Sequence, residues 1–189
     1  MKKGSVIIIS APSGCGKSTI ISALMKRGDL DLHFSVSATN RRPREGEVHG
    51  VNYFFLETDH FKQLIDDDRF VEWEEVYPGR YYGTLKSEIE RIVGEGHNVI
   101  LDIDVKGGVN VKKLMADRAI SIFIMPPSVD TLRCRLQGRA TDSSEEIDRR
   151  VAKAETEIGF APQFDHTVVN DRLDEAVDRV HSLISDFVK

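Results

Sequence analysis

Ser10 to Thr19 read SAPSGCGKST, a small-residue loop whose two glycines lead into a lysine and two hydroxyls. An apolar run, Val6 to Ile9, precedes it, and Ile20, Ile21 and Leu24 follow at helical spacing. Gly14-Cys15-Gly16-Lys17-Ser18 matches the end of the G-x-x-x-x-G-K-[ST] signature in the strand–loop–helix setting that gives it meaning. Glycines let the backbone curl until successive N–H groups converge on phosphate oxygens, and the helix N-terminus adds partial positive charge. Lys17 is placed to reach the β- and γ-phosphates, and the Ser18 hydroxyl to ligate magnesium. The signature's first glycine is replaced by Ala11 at the strand end, where a small side chain suffices. Ala11, Pro12, Ser13, Gly14, Cys15, Gly16, Lys17, Ser18 and Thr19 therefore form a nucleoside-triphosphate site. Cys15 has two readings: a thiolate favoured by the helix dipole, or a buried, inert thiol.

Phosphoryl transfer also needs an acceptor site and the exclusion of water between the two. Two arginine groups could supply the charge. Arg41 and Arg44 flank Arg42-Pro43 in SVSATNRRPREGEVHGVNY, with Tyr53 nine residues on. The second group is Arg133, Arg135, Arg139, Arg149 and Arg150, in a stretch without lysine between Lys113 and Lys153. Planar, bidentate recognition of phosphate favours arginine. Arg135 and Arg139 are i, i+4 neighbours, and GRATDSS reads as a flexible tip, so this segment has the anatomy of a lid. Arg133 and Arg149 read as a solvated helix face; Arg135, Arg139 and Arg150 read as catalytic. With the triphosphate loop serving the donor, the first pair would hold the phosphate of a mononucleotide acceptor.

These residues need a frame. Val6–Ile9, Val99–Ile103, Ile120–Met125 and Thr167–Val169 are apolar without alternation, as strands buried on both faces of a parallel sheet must be. Ser128 can cap a helix carrying Leu132 and Leu136, and Ser143 with Glu146 has capping-box spacing ahead of Val151 and Ala154. Leu173, Ala176, Val177, Val180, Leu183, Ile184 and Phe187 mark one stripe of a last helix. Such alternation predicts a three-layer α/β fold, a central parallel sheet with helices on both faces. From about Ser37 to Gly96 the strands shorten and become polar. They read as antiparallel around a small helix, Thr58 to Ile65. The expected organisation is a core of 1–36 and 97–189, a lid at about 135–150, and an inserted mixed α/β lobe at 37–96.

The chain has 189 residues and a formal net charge of -5, which argues against a general nucleic-acid or anionic-membrane surface. No apolar run reaches the roughly 18 residues of a membrane span, and the N-terminal run is too short for a secretion signal. Two well-separated cysteines suit a reducing cytosol, so the expected location is cytoplasmic. The six histidines show no metal-ligand spacing along the sequence.

Five blocks, SVSATNRRPREGEVHGVNYFF, FVEWEEVYPGRYYGT, VILDIDVKG, RLQGRATD and VVND, closely resemble the guanylate kinase family in order and spacing over almost the whole chain. The GTPase N-K-x-D and transporter L-S-G-G-Q motifs are absent. The resemblance implies the P-loop NTPase fold. It further implies magnesium- and ATP-dependent phosphorylation of GMP and dGMP, and a GMP lobe and lid that close together; no obligatory protein partner is evident in the sequence. Carried over by position, Ser37, Arg41, Arg44, Glu47, Tyr53, Glu72, Tyr82, Thr84 and Asp104 line the GMP site. An ionised Glu72 accepts two hydrogen bonds and so matches the N1–H and 2-amino donors of guanine; a structural ion pair is the alternative. Ser37 could donate to O6. Asp102 suits a magnesium-shell role, through water, beside Ser18. Asn170 and Asp171 correspond to a contact with the donor adenine, or they cap the last helix. Lys106 departs from the family, which has glutamine there; its ammonium could aid charge neutralisation or point away. Two other functions are weighed. Scaffold modules that keep this fold lose the loop lysine, and a sugar-phosphate kinase would lack the pair Ser37 and Glu72.

Overall fold

The computed structural model describes residues 4–138 and 143–189; Arg139 and the rest of 139–142 lie outside the described residues. The first half runs β1 (Val6–Ser10), α1 (Lys17–Arg27), β2 (Leu32–Phe34), β3 (Ala38–Thr39), β4 (Phe54–Phe55), α2 (Thr58–Asp66), β5 (Phe70–Tyr77), β6 (Arg80–Leu85) and α3 (Lys86–Gly94). It continues as β7 (Asn98–Asp102), α4 (Val105–Met115), β8 (Ala119–Met125), α5 (Val129–Gln137), α6 (Ser144–Ile158), β9 (His166–Val169) and α7 (Leu173–Val188).

Five strands form a parallel sheet in the order β2-β7-β1-β8-β9. Its layering follows from the two-residue period of a strand. Ile7 and Ile9 point into one cluster with Ile20 and Leu24 of α1, Leu132 and Leu136 of α5, and Val177, Val180 and Ile184 of α7. Val6 and Ile8 point the other way, against Ile89 and Ile92 of α3 and Val111 of α4. β1, β7 and β8 are buried on both sides, which leaves no room for alternation in their apolar runs. The expectation fails for Thr167–Val169: β9 is an edge strand, and Val168 is buried while Thr167 and Val169 are exposed. Ser128 and Ser143 cap α5 and α6 by accepting the N–H of Thr131 and of Glu146.

The second sheet has the order β4-β3-β6-β5. Antiparallel pairing, expected for the whole stretch, holds for β3–β6 and β5–β6, but β3 and β4 are parallel. The long connection between β3 and β4, which carries the first arginine group, lets the chain return in the same direction. α3 and α4 are further elements the sequence did not suggest. β2 was also missed: three residues at a sheet edge, none fully buried, leave no apolar run to read. Among the described residues no helix is long and apolar enough to cross a membrane.

Candidate active site

β1 ends at Ser10 and α1 begins at Lys17, so residues 11–16 turn within one short loop at the C-terminal edge of the sheet. Gly14 (φ 92°) and Gly16 (φ 84°) take left-handed conformations. A Cβ on Gly16 would stand 2.5 Å from Asn170 Nδ2, and that amide nitrogen donates to the Cys15 carbonyl at 2.8 Å. The loop is thus pinned from the end of β9. The cleft above it is lined by Ala11, Pro12, Ser13, Gly14, Cys15, Gly16, Lys17, Ser18 and Thr19, with Asp102, Asp104 and Glu157.

Strand register explains the next contact. Ile9 of β1 pairs with Asp102 of β7, which places the Asp102 carboxylate beside the loop. Lys17 Nζ meets Asp102 Oδ1 at 2.5 Å and donates to the Ile103 carbonyl at 3.1 Å. The ammonium is held between an acid and a carbonyl, in a cleft built to receive phosphate.

The acceptor residues gather on the second sheet. Arg41 makes a bidentate pair with Glu47, at 2.6 and 2.8 Å, and Glu47 also accepts the Arg44 N–H at 2.7 Å. Hydrogen bonding from Arg41 holds the Glu47 carboxyl down at about 2. The Arg41 guanidinium lies 5.2 Å from the Tyr53 ring centre, and Tyr53 packs edge-on against Tyr82. Arg41 Nε is buried without a hydrogen-bond partner among the described residues, a donor for which an arriving anion is the natural acceptor. Arg44 is exposed.

Glu72 faces Thr84 across β5 and β6. The Thr84 hydroxyl donates to Glu72 Oε1 at 2.6 Å. Burial is the main cause that raises the Glu72 pKa, partly offset by that hydrogen bond. Among the described residues no cation lies within ion-pair distance of Glu72, so the structural ion pair finds no partner. Ser37, Tyr53, Glu72, Tyr82 and Asp104 share one cleft with Glu74, Val76, Gly83, Asp102 and Ile103. Asp104 also caps α4, accepting the Gly107 N–H at 2.6 Å.

The second arginine group divides. Arg133 pairs with Asp148 on exposed surface, and Arg149 is exposed. Arg135 donates to the carbonyls of Asn170 at 2.9 Å and Asp171 at 3.3 Å. Its charge still acts on Cys15 in the loop. Arg150 sits half-buried on α6; Arg139 lies outside the described residues. Arg172 stands at the start of α7 with no side-chain cap, so Asn170 and Asp171 do not cap the last helix.

The thiolate reading of Cys15 is corrected. The side chain is fully buried in the core with Leu132 and Leu136, and burial pushes its pKa up to about 12 despite Arg135. Desolvation outweighs the helix dipole. Only the backbone of Cys15 is then available to phosphate. Lys106 is exposed and lines the clefts beside Glu74 and Asp104, not the phosphate-loop cleft.

Two acids were not anticipated. Glu157 lines the phosphate-loop cleft, and burial raises its pKa. Glu74 hydrogen-bonds the Asp104 carboxyl; that contact, then burial, pushes its pKa up to about 7. Nothing in FVEWEEVY distinguishes Glu74 from Glu75, because only the fold brings Asp104 to one of them. A raised acid binds a proton that the unfolded chain has released. Its stabilising contribution is therefore complete below the ordinary 4.5, falls as pH rises, and is gone above about 7. Thermal midpoints across that window should decline less in Glu74→Gln than in wild type. Equal slopes would show that no proton is held there.

The family model described as guanylate kinase matches residues 3–187. The chain belongs to the guanylate kinase family. It is 53% identical to guanylate kinase of Bacteroides thetaiotaomicron over 98% of this chain and 90% of that one. It is 54% identical to the Porphyromonas gingivalis guanylate kinase, over 97% of each. The crystal structure of guanylate kinase from Anaplasma phagocytophilum superposes with a TM-score of 0.76 at 29% identity, covering 100% of this chain and 88% of that chain. The shared architecture is the α/β P-loop NTPase fold. The SH3-kinase fragment of tight junction protein 3, at 12% identity and TM-score 0.56, shares the fold alone.

Proposed function

We propose that this guanylate kinase transfers the γ-phosphoryl group of ATP to GMP or dGMP, releasing ADP and the diphosphate. One observation carries the reading of the site. The phosphate-loop cleft and the cleft of Ser37, Tyr53, Glu72 and Tyr82 both have Asp102 and Asp104 as walls, so donor and acceptor would meet across one seam. Residues 37–96 would form the acceptor lobe around a core of 1–36 and 97–189, with about 135–150 as the lid.

In this reading Arg41, Arg44, Tyr53 and Tyr82 hold the acceptor phosphate. Glu47 keeps the Arg41 fork aligned before substrate arrives. Glu72, Ser37, Thr84 and Asp104 read the base. The loop backbone from Ala11 to Thr19 cradles the donor phosphates, Asn170 and Asp171 border the adenine, and Arg135, Arg139 and Arg150 close over the transferring group. Lys17, released from Asp102, follows that group. No general base is needed, because the attacking oxygen belongs to an anionic phosphate; catalysis is positioning and charge stabilisation.

Ser18 and Asp102 share the phosphate-loop cleft and offer a hydroxyl and a carboxylate, the hard oxygen donors that suit magnesium. Bound there, with water between it and Asp102, the ion would neutralise charge on the donor phosphates. Two free cysteines fit a reducing cytoplasm.

A coupled assay with GMP, AMP and ribose phosphates as acceptors tests the reading. Turnover should be high with GMP alone. Equal turnover with AMP would remove the base-reading role, and turnover with ribose phosphate alone would mean a sugar kinase.

A further inference from the structure

One cluster of ligating side chains lies outside the site just described. Asp31, in the turn before β2, His33 on β2 and His97, just before β7, converge on the sheet edge. Asp31 Oδ2 stands 2.7 Å from His97 Nδ1, and Oδ1 stands 3.3 Å from His33 Nε2. The two imidazoles stack with centroids 4.0 Å apart, so one ring nitrogen of each faces the same carboxylate. All three ligand atoms lie within 4.8 Å of one another. Two ligands on one zinc ion stand no more than about 4.2 Å apart, so a small side-chain rotation closes the set.

The backbone beneath is fixed. The Asn98 N–H donates to the Asp31 carbonyl at 3.1 Å, and the Asn98 amide donates to the Leu30 carbonyl at 2.8 Å and accepts from the Ser5 N–H at 2.9 Å. Asp31 itself takes a left-handed conformation, φ 47°, which aspartate tolerates. All three side chains keep a third or more of their surface open to solvent, so an ion can enter.

We propose that Asp31, His33 and His97 form a binding site for a borderline divalent transition-metal ion, zinc or copper. Two neutral imidazoles and one carboxylate are the donors such ions prefer, whereas magnesium takes oxygen. Each ring ligates through the nitrogen facing Asp31 and carries its proton on the other. Water fills the remaining positions. The ion clamps the turn before β2 to the start of β7, 64 to 66 residues apart in sequence (97 minus 33 and 97 minus 31), so it binds the folded chain only. Asp102, at the far end of β7, is five residues on, about 16 Å at strand rise. The ion is therefore remote from the transferred phosphate. It staples the edge strand that runs into Ser37 and Arg41.

The test titrates zinc into the full chain carrying Cys134→Ser, which removes the exposed thiol, without nucleotide or magnesium. One ion per chain should bind. His33→Ala and His97→Ala should each weaken it by at least the roughly 10–100-fold that loss of a mere second-shell partner costs. Zinc at 100 times its dissociation constant should raise the thermal midpoint by about 5 °C or more, and this rise should vanish in His97→Ala. Copper at one equivalent should show hyperfine coupling to two nitrogens. Zinc binding unchanged by both histidine variants, or a copper spectrum with fewer than two nitrogens, would overturn the assignment.

Discussion

Lys17→Ala should lower kcat by about a thousandfold or more while leaving GMP binding close to wild type. The ammonium is the one flexible charge at the loop, held 2.5 Å from Asp102. Charge that develops on the transferring group in a desolvated cleft is worth far more than the same charge in water. Removing it raises the barrier without touching Arg41, Tyr53 or Glu72. Lys17→Arg should rescue little, because a planar fork does not fit where a compact ammonium must move. Steady-state kinetics and GMP titration on the same preparation decide the matter. Near-normal turnover would mean that the loop is not the donor site.

Glu72→Gln should cost roughly 2–4 kcal/mol in kcat/KM for GMP, about 30- to 1,000-fold. The direction of the mismatch follows from Thr84. Its hydroxyl donates to Oε1, and in the variant the amide oxygen would keep that bond. The NH2 group is then turned toward the guanine edge, donor against donor, in a half-buried place. ATP binding should not change. Stability should not fall either, since burial already disfavours the ionised carboxyl and a neutral amide avoids that penalty. Inosine monophosphate lacks the 2-amino group, so it should be a poor wild-type substrate and lose less on mutation. Loss by the same factor for both nucleotides would show that Glu72 does not read the 2-amino group.

Legibility in the sequence tracked how local the cause was. Strands β1, β7, β8 and β9 could be read from apolar runs, and α5 and α6 from caps, because each signal lies within a few residues. The loop was readable for the same reason: Gly14, Gly16 and Lys17 act through their own backbone and reach. What failed was what another segment supplies. Cys15 sits at a helix N-terminus in the sequence, but Leu132 and Leu136 cover it in space. Glu74 is one acid among three in FVEWEEVY until Asp104 arrives beside it. His33 and His97 show no ligand spacing along the chain; parallel pairing of β2 with β7 brings them together.

The bond from Asn170 to the Cys15 carbonyl spans 155 residues, and it bears on how the protein is made. β1 needs β7 and β8 as neighbours, and the loop after it needs the Asn170 side chain that follows β9. On the ribosome, the loop thus emerges long before the residue that fastens it. A nascent chain halted before residue 170 would carry the whole loop sequence without the amide that pins it. Donor affinity should accordingly appear late in synthesis, when β9 docks beside β8, and not when residues 10–19 leave the exit tunnel.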